Sequence, residues 1–333
     1  MNLSPFVLRR LFTLVMLVAL FFGAFGYWFA TRPLDLANSP LDFEITSGVG
    51  LRGASRQMVD AGINMSAWQF TWLARALGNA SQIKAGSYEI EAGITPWQLL
   101  KKLTRGDTSQ GELMLVEGKT FADFRRMVDA SVDLRHDSAG LSETELLAKL
   151  GIEAPHPEGL FFPDTYLFSK NVSDLAIYKR AHEALVRRLQ PEWGGRAANL
   201  PYRTPYEALI MASIIEKETG SAADRDKIAA VFVNRLRLGM PLQTDPSVIY
   251  GIAKFDGNLR KRDLQADGPY NTYIRAGLPP TPISLPGQAA LHAALHPAAN
   301  NYLYFVARGD GSSEFSRTLE EHNRAVGKYQ KKG

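Results

Sequence analysis

The sequence of 333 residues contains no cysteine. Disulfide bonds and metal sites built from thiolates are therefore excluded. There is no run of basic residues interleaved with aromatic ones, and the net charge of +4 is small, so nucleic-acid binding is not expected. Low-complexity tracts are also absent, and a hydrophobic content of 45% is sufficient for a large core. A chain of this length is typical of about two folded domains.

The longest apolar run lies near the N-terminus. The stretch "RRLFTLVMLVALFFGAFGYWFATR" contains Arg9 and Arg10, then no charged residue over 11–30, and then Arg32. At about 1.5 Å per residue, a helix over this run is long enough to cross the ~30 Å hydrocarbon core of a bilayer. The two arginines that precede the run indicate that the leader stays in the cytoplasm and the remainder is exported.

The aromatic residues that end this run favour an anchor over a cleaved signal peptide. Tyr27, Trp28 and Phe29 are typical of the interfacial belt of a membrane helix, whereas a signal peptide ends in small residues. We therefore predict a cytoplasmic leader over residues 1–10 and a transmembrane anchor over 11–31. A cleaved signal peptide and a buried core helix are the alternatives.

A small α/β module is predicted to follow the anchor. Residues 32–41 are rich in proline and read as a tether, and residues 42–110 contain a strand, two helices and a second strand, then a third helix. This β-α-α-β order resembles a LysM-type module, a family that binds cell-wall sugars. The stretch "FEITSGVGLRGASRQMV" lacks a clear Gly-Asp-Thr turn, so a packing or spacer role is the alternative.

The remainder of the chain divides into a connecting segment and a larger domain. Residues 111–155 continue the alternation of strand and helix as an α/β extension. Residues 156–333 contain long amphipathic helices, a β-hairpin around a Gly-Asp-Gly turn and a C-terminal helix. The predicted fold class is α+β, with one transmembrane helix, a small LysM-like α/β module and a larger mixed helical and β domain.

Two glutamates, Glu216 and Glu218, lie at the end of an apolar helix in the stretch "IIEKETG". Thr204 as N-cap, Pro205 as the first helical residue and Gly220 as a stop predict this helix. At ~100° per residue, Glu218 extends the apolar stripe of the helix, whereas Glu216 lies about 160° away on the opposite side, which we expect to be solvated.

The position of Glu218 favours acid–base chemistry. A carboxyl group on an apolar stripe loses hydration, and the negative end of the helix dipole adds to this effect, so both raise its pKa. A carboxyl group that stays protonated near neutral pH can serve as a general acid. The alternative is a structural ion pair with Arg225 or Lys227 of the following helix.

Several longer motifs resemble one known family. These are "EGLFFPDTY", "SIIEKETG", "DRDKIAAVFVNRLRLGMPLQTDPSVIYG", "YNTY" with "GLPPTPI", and "LHPAANNYLYFVARGDG". Together they resemble the endolytic murein transglycosylases of the MltG (YceG-like) family, over the whole chain and most densely over 158–323. The resemblance implies that Glu218, the second glutamate of E-K-E-T, is catalytic. It also implies non-hydrolytic cleavage of MurNAc-β-1,4-GlcNAc bonds within nascent glycan strands, which leaves 1,6-anhydro ends and limits strand length.

The resemblance also implies a sugar-binding cleft and a location. The cleft residues it implies are Gln243, Asp245, Tyr250, Asn271 and Tyr273. No cofactor is implied, and the implied partners are peptidoglycan strands, the membrane and peptidoglycan synthases. The protein would cross the bacterial inner (plasma) membrane once, with its N-terminus cytoplasmic and its catalytic domain, residues 156–333, in the periplasm.

Two other functions remain compatible with the residues. A peptidoglycan hydrolase would use Glu218 together with Asp245, because hydrolytic glycosidases need a second carboxylate. A membrane-anchored wall-binding scaffold would need neither. A metal site is not expected, because His292 and His296 are spaced i, i+4 but lack both the glutamate of an H-E-x-x-H motif and an evident third ligand.

Overall fold

The computed structural model describes residues 5–330 and has a mixed α+β fold. The helices are α1 (Pro5–Thr31), α2 (Leu51–Asp60), α3 (Ala67–Ala76), α4 (Pro96–Arg105), α5 (Phe121–Asp129), α6 (Glu143–Leu150), α7 (Asp174–Gly194), α8 (Pro205–Glu218), α9 (Ala222–Arg237), α10 (Asp245–Gly251), α11 (Lys261–Gln265), α12 (Gln288–Leu295) and α13 (Leu319–Tyr329). The strands are β1 (Asp35–Leu36), β2 (Leu41–Ile45), β3 (Ile63–Asn64), β4 (Gly86–Ile90), β5 (Gln110–Met114), β6 (Leu134–Arg135), β7 (Thr165–Ser169), β8 (Val172–Ser173), β9 (Tyr304–Ala307) and β10 (Ser313–Ser316). They pair two by two, as β1–β3, β2–β4, β5–β7, β6–β8 and β9–β10.

The chain forms two compact units. The first contains the residues up to Gly111 together with Leu167–Val172, and the second contains Glu112–Tyr166 and the residues from Ser173 onward. The predicted extension over 111–155 therefore lies, apart from its first residue, in the same unit as the helices that follow it.

The core of the first unit is built on the antiparallel pair β2–β4, with α2 packed against α3. Side chains of β2 alternate between buried and exposed, as expected for a strand with one solvated face. Phe43 lies opposite Tyr88 in the register, and their rings stack with centroids 5.6 Å apart. The β-α-α-β order predicted from the sequence is thus present, with the short strand β3 added between the two helices.

The stretch predicted as a tether is packed onto the first unit. Leu34 is buried in the core, and its backbone N–H donates to the carbonyl of Ile94 (2.8 Å). β1 pairs with β3, and Ser39 Oγ accepts from the backbone N–H of Ala92 (2.9 Å). These contacts depend on residues far along the chain, so the proline content of the stretch did not reveal them.

Helix α1 contains the apolar run. Its residues Arg9–Thr31 are long and apolar enough to cross a membrane, a property that signal sequences near an N-terminus share. The helix begins at Pro5, so part of the predicted leader over 1–10 is helical and the rest lies outside the described residues. Near its other end, Phe29 turns inward and is buried in the core of the first unit.

The second unit is assembled around α8, which packs against α7, α9, α10 and α12. Every residue from Ala208 to Ile215 is buried. The prediction that one side of this helix faces solvent is therefore wrong. Ala212 and Ser213 on that side are fully buried, and Ser213 Oγ accepts from the backbone N–H of Ile283 (3.0 Å). A helix surrounded by other elements has no polar stripe for periodicity to detect.

The rest of this unit contains the predicted hairpin and C-terminal helix. β9 pairs antiparallel with β10, and Gly309 and Gly311 have positive φ angles (90° and 87°) in the turn between them. Glycine suits these two positions because it lacks the Cβ that penalises positive φ. Thr318 caps α13 by accepting from the backbone N–H of Glu321 (3.2 Å).

Candidate active site

A cavity of about 650 Å³ in the second unit contains Glu218. The end of α8 and the start of α10 form one side of this cavity, and the β9–β10 hairpin and α13 form the other. Its polar lining residues are Glu218, Arg235, Gln243, Asp245, Tyr273, Tyr304, Ser313, His322, Asn323 and Gln330. Three of the five predicted cleft residues, Gln243, Asp245 and Tyr273, are thus brought together with Glu218.

Glu218 is the last residue of α8 and is half-buried, three positions after Ile215, where the buried part of that helix ends. Its Oε2 accepts a hydrogen bond from Thr244 Oγ1 (2.9 Å). Burial raises the pKa of Glu218 and the charge of Asp245 raises it further, whereas the hydrogen bond from Thr244 acts in the opposite direction. The group can therefore donate a proton to a ligand in the cavity and then take one back.

The ion pair considered as an alternative for Glu218 does not form. Lys227 lies 3.8 Å from Asp224 instead. Over the described part of the chain, no salt bridge joins Glu218 to Arg225. The environment of Glu218 is thus that of a half-buried acid that accepts a hydrogen bond from a hydroxyl group.

Glu216, two residues before Glu218 in α8, has a structural role. Its Oε2 accepts from the backbone N–H of Gly287 (2.9 Å), the residue that precedes α12. Glu216 is half-buried and burial raises its pKa, so the expectation that it faces solvent is wrong. It binds one of the free N–H groups at a helix N-terminus.

Asp245 and Tyr273 form a pair in the cavity. The Tyr273 hydroxyl donates to Asp245 Oδ1 over 2.6 Å. The carboxylate raises the pKa of Tyr273, although burial makes the larger contribution. This hydrogen bond fixes the direction of Asp245 beside Glu218.

Arg235 positions the third cavity residue, Gln243. Its guanidinium donates to Gln243 Oε1 (3.0 Å) and to the carbonyls of Pro241 (3.2 Å), Leu242 (3.0 Å) and Leu303 (2.7 Å). Gln243 itself has a φ of 54°, a conformation that non-glycine residues adopt rarely. Because Arg235 occupies the amide oxygen, the NH₂ group of Gln243 is the part of this side chain that can serve a ligand.

The other two predicted cleft residues, Tyr250 and Asn271, do not line this cavity. The Nδ2 of Asn271 donates to the carbonyls of Asp263 (3.2 Å), Leu264 (3.1 Å) and Ala266 (2.7 Å). Its Oδ1 accepts from the backbone N–H of Tyr273 (3.0 Å). Asn271 therefore organises the loop that presents Tyr273.

Among the residues of the cavity that sequence reasoning missed are Arg235, Tyr304 and His322. The His322 ring stacks on Tyr304 with centroids 5.2 Å apart, and its Nδ1 is buried with no hydrogen-bond partner within residues 5–330. Burial, followed by the charge of Arg235, lowers the pKa of His322. The motif "EEHNRA" contains this histidine, but nothing local indicates that α13 packs beside the end of α8.

Tyr250 instead contacts a second buried carboxyl group, Glu158. Its hydroxyl donates to Glu158 Oε2 (3.0 Å), and the backbone N–H of Phe121 donates to Oε1 (2.9 Å). Burial raises the pKa of Glu158 to about 7, and both hydrogen bonds act in the opposite direction. The motif "EGLFFPDTY" contains Glu158, although its periodicity does not indicate a buried acid.

Glu158 should make the stability of the protein fall as the pH rises from about 4.5 to about 7. A carboxyl group with a higher pKa in the folded than in the unfolded chain favours folding below the unfolded value, and this contribution is lost through the folded value. The pKa difference, from 4.5 to about 7, corresponds to about 3 kcal/mol. In urea unfolding at a series of pH values, we expect Glu158→Gln to reduce this slope by the contribution of Glu158, while the raised pKa values of Glu216 and Glu218 leave a smaller slope of the same sign.

A matched control for Glu158→Gln is Glu207→Gln, because Glu207 is a partly exposed carboxylate of the same unit. Its replacement should leave the slope between pH 4.5 and 7 in place. An equal slope in wild type and Glu158→Gln would mean that Glu158 does not titrate in this range.

His292 and His296 do have a third potential ligand, so that part of the sequence prediction is wrong. Glu192 Oε2 lies 3.1 Å from His292 Nδ1 and 3.2 Å from His296 Nε2. Gln288 Nε2 donates to the other carboxylate oxygen (2.8 Å). These contacts join α7 to α12 and give both oxygens of Glu192 a partner. Glu192 is about 100 positions away in the chain, so spacing could not reveal it.

Comparisons with known proteins agree with the motifs. A match to the YceG-like family covers residues 43–328. The chain is 35% identical to the endolytic murein transglycosylase of Bacillus subtilis (strain 168), over 75% of this chain and 74% of that protein. It is 28% identical to the endolytic murein transglycosylase of Streptococcus pneumoniae serotype 2, over 98% of this chain and 66% of that protein.

A solved structure also indicates the YceG-like family. The crystal structure of a YceG-like protein from Listeria monocytogenes aligns with a TM-score of 0.54 and 30% identity, over 86% of this chain and 98% of that one. The family match, the relatives and the shared fold together cover nearly all of the sequence. This chain is a member of the YceG-like family.

Proposed function

We propose that this protein is a peptidoglycan lytic transglycosylase that cuts glycan strands internally. The observation that carries the proposal is the half-buried carboxyl group of Glu218, whose pKa is raised, in a cavity with polar lining residues, in a chain of the YceG-like family. The relatives in Bacillus subtilis and Streptococcus pneumoniae, both named endolytic murein transglycosylases, support the same activity.

The bond to be cleaved is MurNAc-β-1,4-GlcNAc. Protonated Glu218 donates its proton to the glycosidic oxygen as the bond from that oxygen to C1 of MurNAc breaks. The resulting carboxylate then takes the proton of the C6 hydroxyl of the same MurNAc, and O6 bonds to C1 to form a 1,6-anhydro ring. Because the attacking oxygen belongs to the same sugar, its positioning supplies part of the rate acceleration and no water is consumed.

The other cavity residues have supporting roles in this proposal. Asp245, oriented by Tyr273, stabilises the positive charge that develops at C1. The NH₂ group of Gln243 donates to a sugar oxygen or to the N-acetyl carbonyl. Tyr250 and Asn271 act from outside the cavity, through Glu158 and through the loop that carries Tyr273.

Hydrolysis is the second candidate reaction, because Asp245 lies in the same cavity as Glu218. Hydrolytic glycosidases use a second carboxylate as a nucleophile or as the base that activates water. Asp245 would have to fill that role while accepting a hydrogen bond from Tyr273. The third candidate, a wall-binding scaffold, does not explain why Glu218 has a raised pKa and lines a cavity.

The proposal includes a location at the bacterial plasma membrane. Helix α1 would anchor the chain, with the N-terminus in the cytoplasm and both units in the periplasm. An anchor confines the enzyme to newly made strands and raises its effective concentration there. Glycan binding by the LysM-like first unit and contacts with peptidoglycan synthases are further parts of the proposal.

The test is mass spectrometry of the ends that the full-length protein generates on uncrosslinked nascent glycan strands. Anhydro-MurNAc ends at internal positions are the expected result. Reducing ends would identify a hydrolase, and Asp245→Asn would then be the next variant to measure. Intact strands would favour the scaffold.

A further inference from the structure

We propose that the first unit contains a groove for a phospholipid acyl chain and rests through α3 on the outer leaflet of the membrane. The groove is formed between the last turns of α1 and the helices α3 and α4. The inference rests on the proposed membrane anchor and extends it from a single helix to a face of the folded unit.

The groove is almost entirely apolar and has a volume of about 500 Å³. It is open beside Gly23 and Gly26, where an added Cβ would meet no atom within 4 Å. A lining with almost no exposed polar surface suits a hydrocarbon chain and offers little for sugar hydroxyls to bind. Its lining residues are Phe22, Gly23, Gly26, Tyr27, Ala30 and Thr31 of α1, Leu73, Ala76 and Leu77 of α3 or its end, and Trp97 of α4.

Two large aromatic side chains project from α3 into solvent. Trp68 is 65% exposed and Trp72 is 54% exposed, and their rings meet edge to face at 6.3 Å. They are four residues apart, so they lie on one side of the helix, and Leu77 beyond them is also exposed (40%). Tryptophan is enriched at the bilayer interface, because its ring is apolar and its N–H can bond to headgroups or water.

The attachment of α1 to the first unit determines how deep the exposed side of α3 lies in the membrane. Phe29 of α1 is buried in the core of the first unit, so the unit is fixed directly to the end of the helix. Phe22, at the lower end of the groove, lies nine residues before Thr31, which is a distance of about 14 Å along a helix. When α1 spans a bilayer with a hydrocarbon core of ~30 Å, a groove that reaches this depth lies within the outer leaflet.

Basic residues accompany the aromatic ones near the groove. The guanidinium of Arg32 lies over the Trp28 ring (5.1 Å), and the Lys101 ammonium lies over the Trp97 ring (4.8 Å). Arg75 is in the last turn of α3. Such residues attract anionic headgroups by electrostatics. The combination of an apolar groove, tryptophans and a basic rim therefore favours an anionic phospholipid over a glycan.

The test uses the full-length protein in vesicles that contain phosphatidylglycerol brominated on the acyl chain. The chain has five tryptophans, so single-tryptophan variants are made by replacing the other four with phenylalanine. One variant retains Trp72, and a second retains Trp28 in α1. A matched control has its only tryptophan at Phe70→Trp, a fully buried position on the inner side of α3.

Bromine quenches tryptophan at contact distance, so we expect loss of most fluorescence for Trp72 and for Trp28, and little loss for the Phe70→Trp control. Quenching of Trp28 without quenching of Trp72 would overturn the docking of α3 and leave the anchor intact. No quenching of either would overturn the anchor, and the docking with it. A response of Trp72 to added glycan strands, without bromine quenching, would assign this face to sugar binding and contradict the proposal.

Discussion

Replacing Glu218 by glutamine is expected to reduce glycan-strand cleavage by a factor on the order of 10³, within the range that general acid–base catalysis contributes. Glutamine keeps the size of the side chain and can still accept the hydrogen bond from Thr244, but it can neither donate nor accept the transferred proton. The measurement is the initial rate at which new strand ends form, with wild type and variant compared at equal concentration.

Glu216→Gln is the matched control, since it lies two residues away on the same helix. The amide oxygen can still accept from the backbone N–H of Gly287, so we expect activity within a few-fold of wild type. Similar losses from both substitutions would indicate a structural effect at the end of α8. Full activity of Glu218→Gln would exclude this residue as the acid.

Arg235→Ala is expected to destabilise the second unit by about 3 kcal/mol, because it removes a buried guanidinium and leaves three backbone carbonyls, one buried and two partly buried, without this donor. It also releases Gln243, whose side chain Arg235 holds at the cavity. The loop of residues 241–243 should then lose its position beside Glu218, so cleavage should fall as well. Urea unfolding and the cleavage rate measure the two effects separately.

Arg237→Ala provides the comparison on the same helix α9. Arg237 is exposed and makes one hydrogen bond, to the carbonyl of Asn199 (2.9 Å). Its removal should change the free energy of unfolding by about 1 kcal/mol or less and leave cleavage unchanged. If the two arginine variants were equally stable and equally active, Arg235 would not organise the cavity.

Short-range features of the structure were predictable from the sequence. The cap at Thr204 forms as expected, because its side chain accepts from the backbone N–H of Glu207 (3.2 Å), only three residues away. The loss of hydration at Glu218 also followed from local geometry, since a helix rotates by ~100° per residue and this rotation places Glu218 on the apolar stripe. Its raised pKa was therefore foreseeable before the cavity was seen.

Features that depend on several elements at once were not predictable. Glu216 was expected to face solvent, but every residue of α8 over 208–215 is buried and Glu216 bonds to the backbone N–H of Gly287. His322 and Tyr304 reach the cavity only because the hairpin and α13 fold back beside α8. The amide side chain of Asn271 is of the type that binds sugar hydroxyls, yet its N–H groups donate to three backbone carbonyls.

The family resemblance supplied what spacing could not. Helix geometry alone left Glu218 as either an acid or an ion-pair partner, and the motifs around it identified the family that the comparisons later established. The same resemblance placed Tyr250 in the cleft, whereas the structure pairs it with the buried Glu158. A motif thus identifies residues that belong to a site without specifying which of them line the cavity.

Cleavage of glycan strands in H₂¹⁸O tests the central claim most directly, because a lytic transglycosylase consumes no water and a hydrolase does. With the full-length protein, the new MurNAc ends should contain no ¹⁸O and should have the mass of the anhydro sugar. Incorporation of one ¹⁸O at C1 of each new end would contradict the account. It would mean that Glu218 and Asp245 act together on a water molecule.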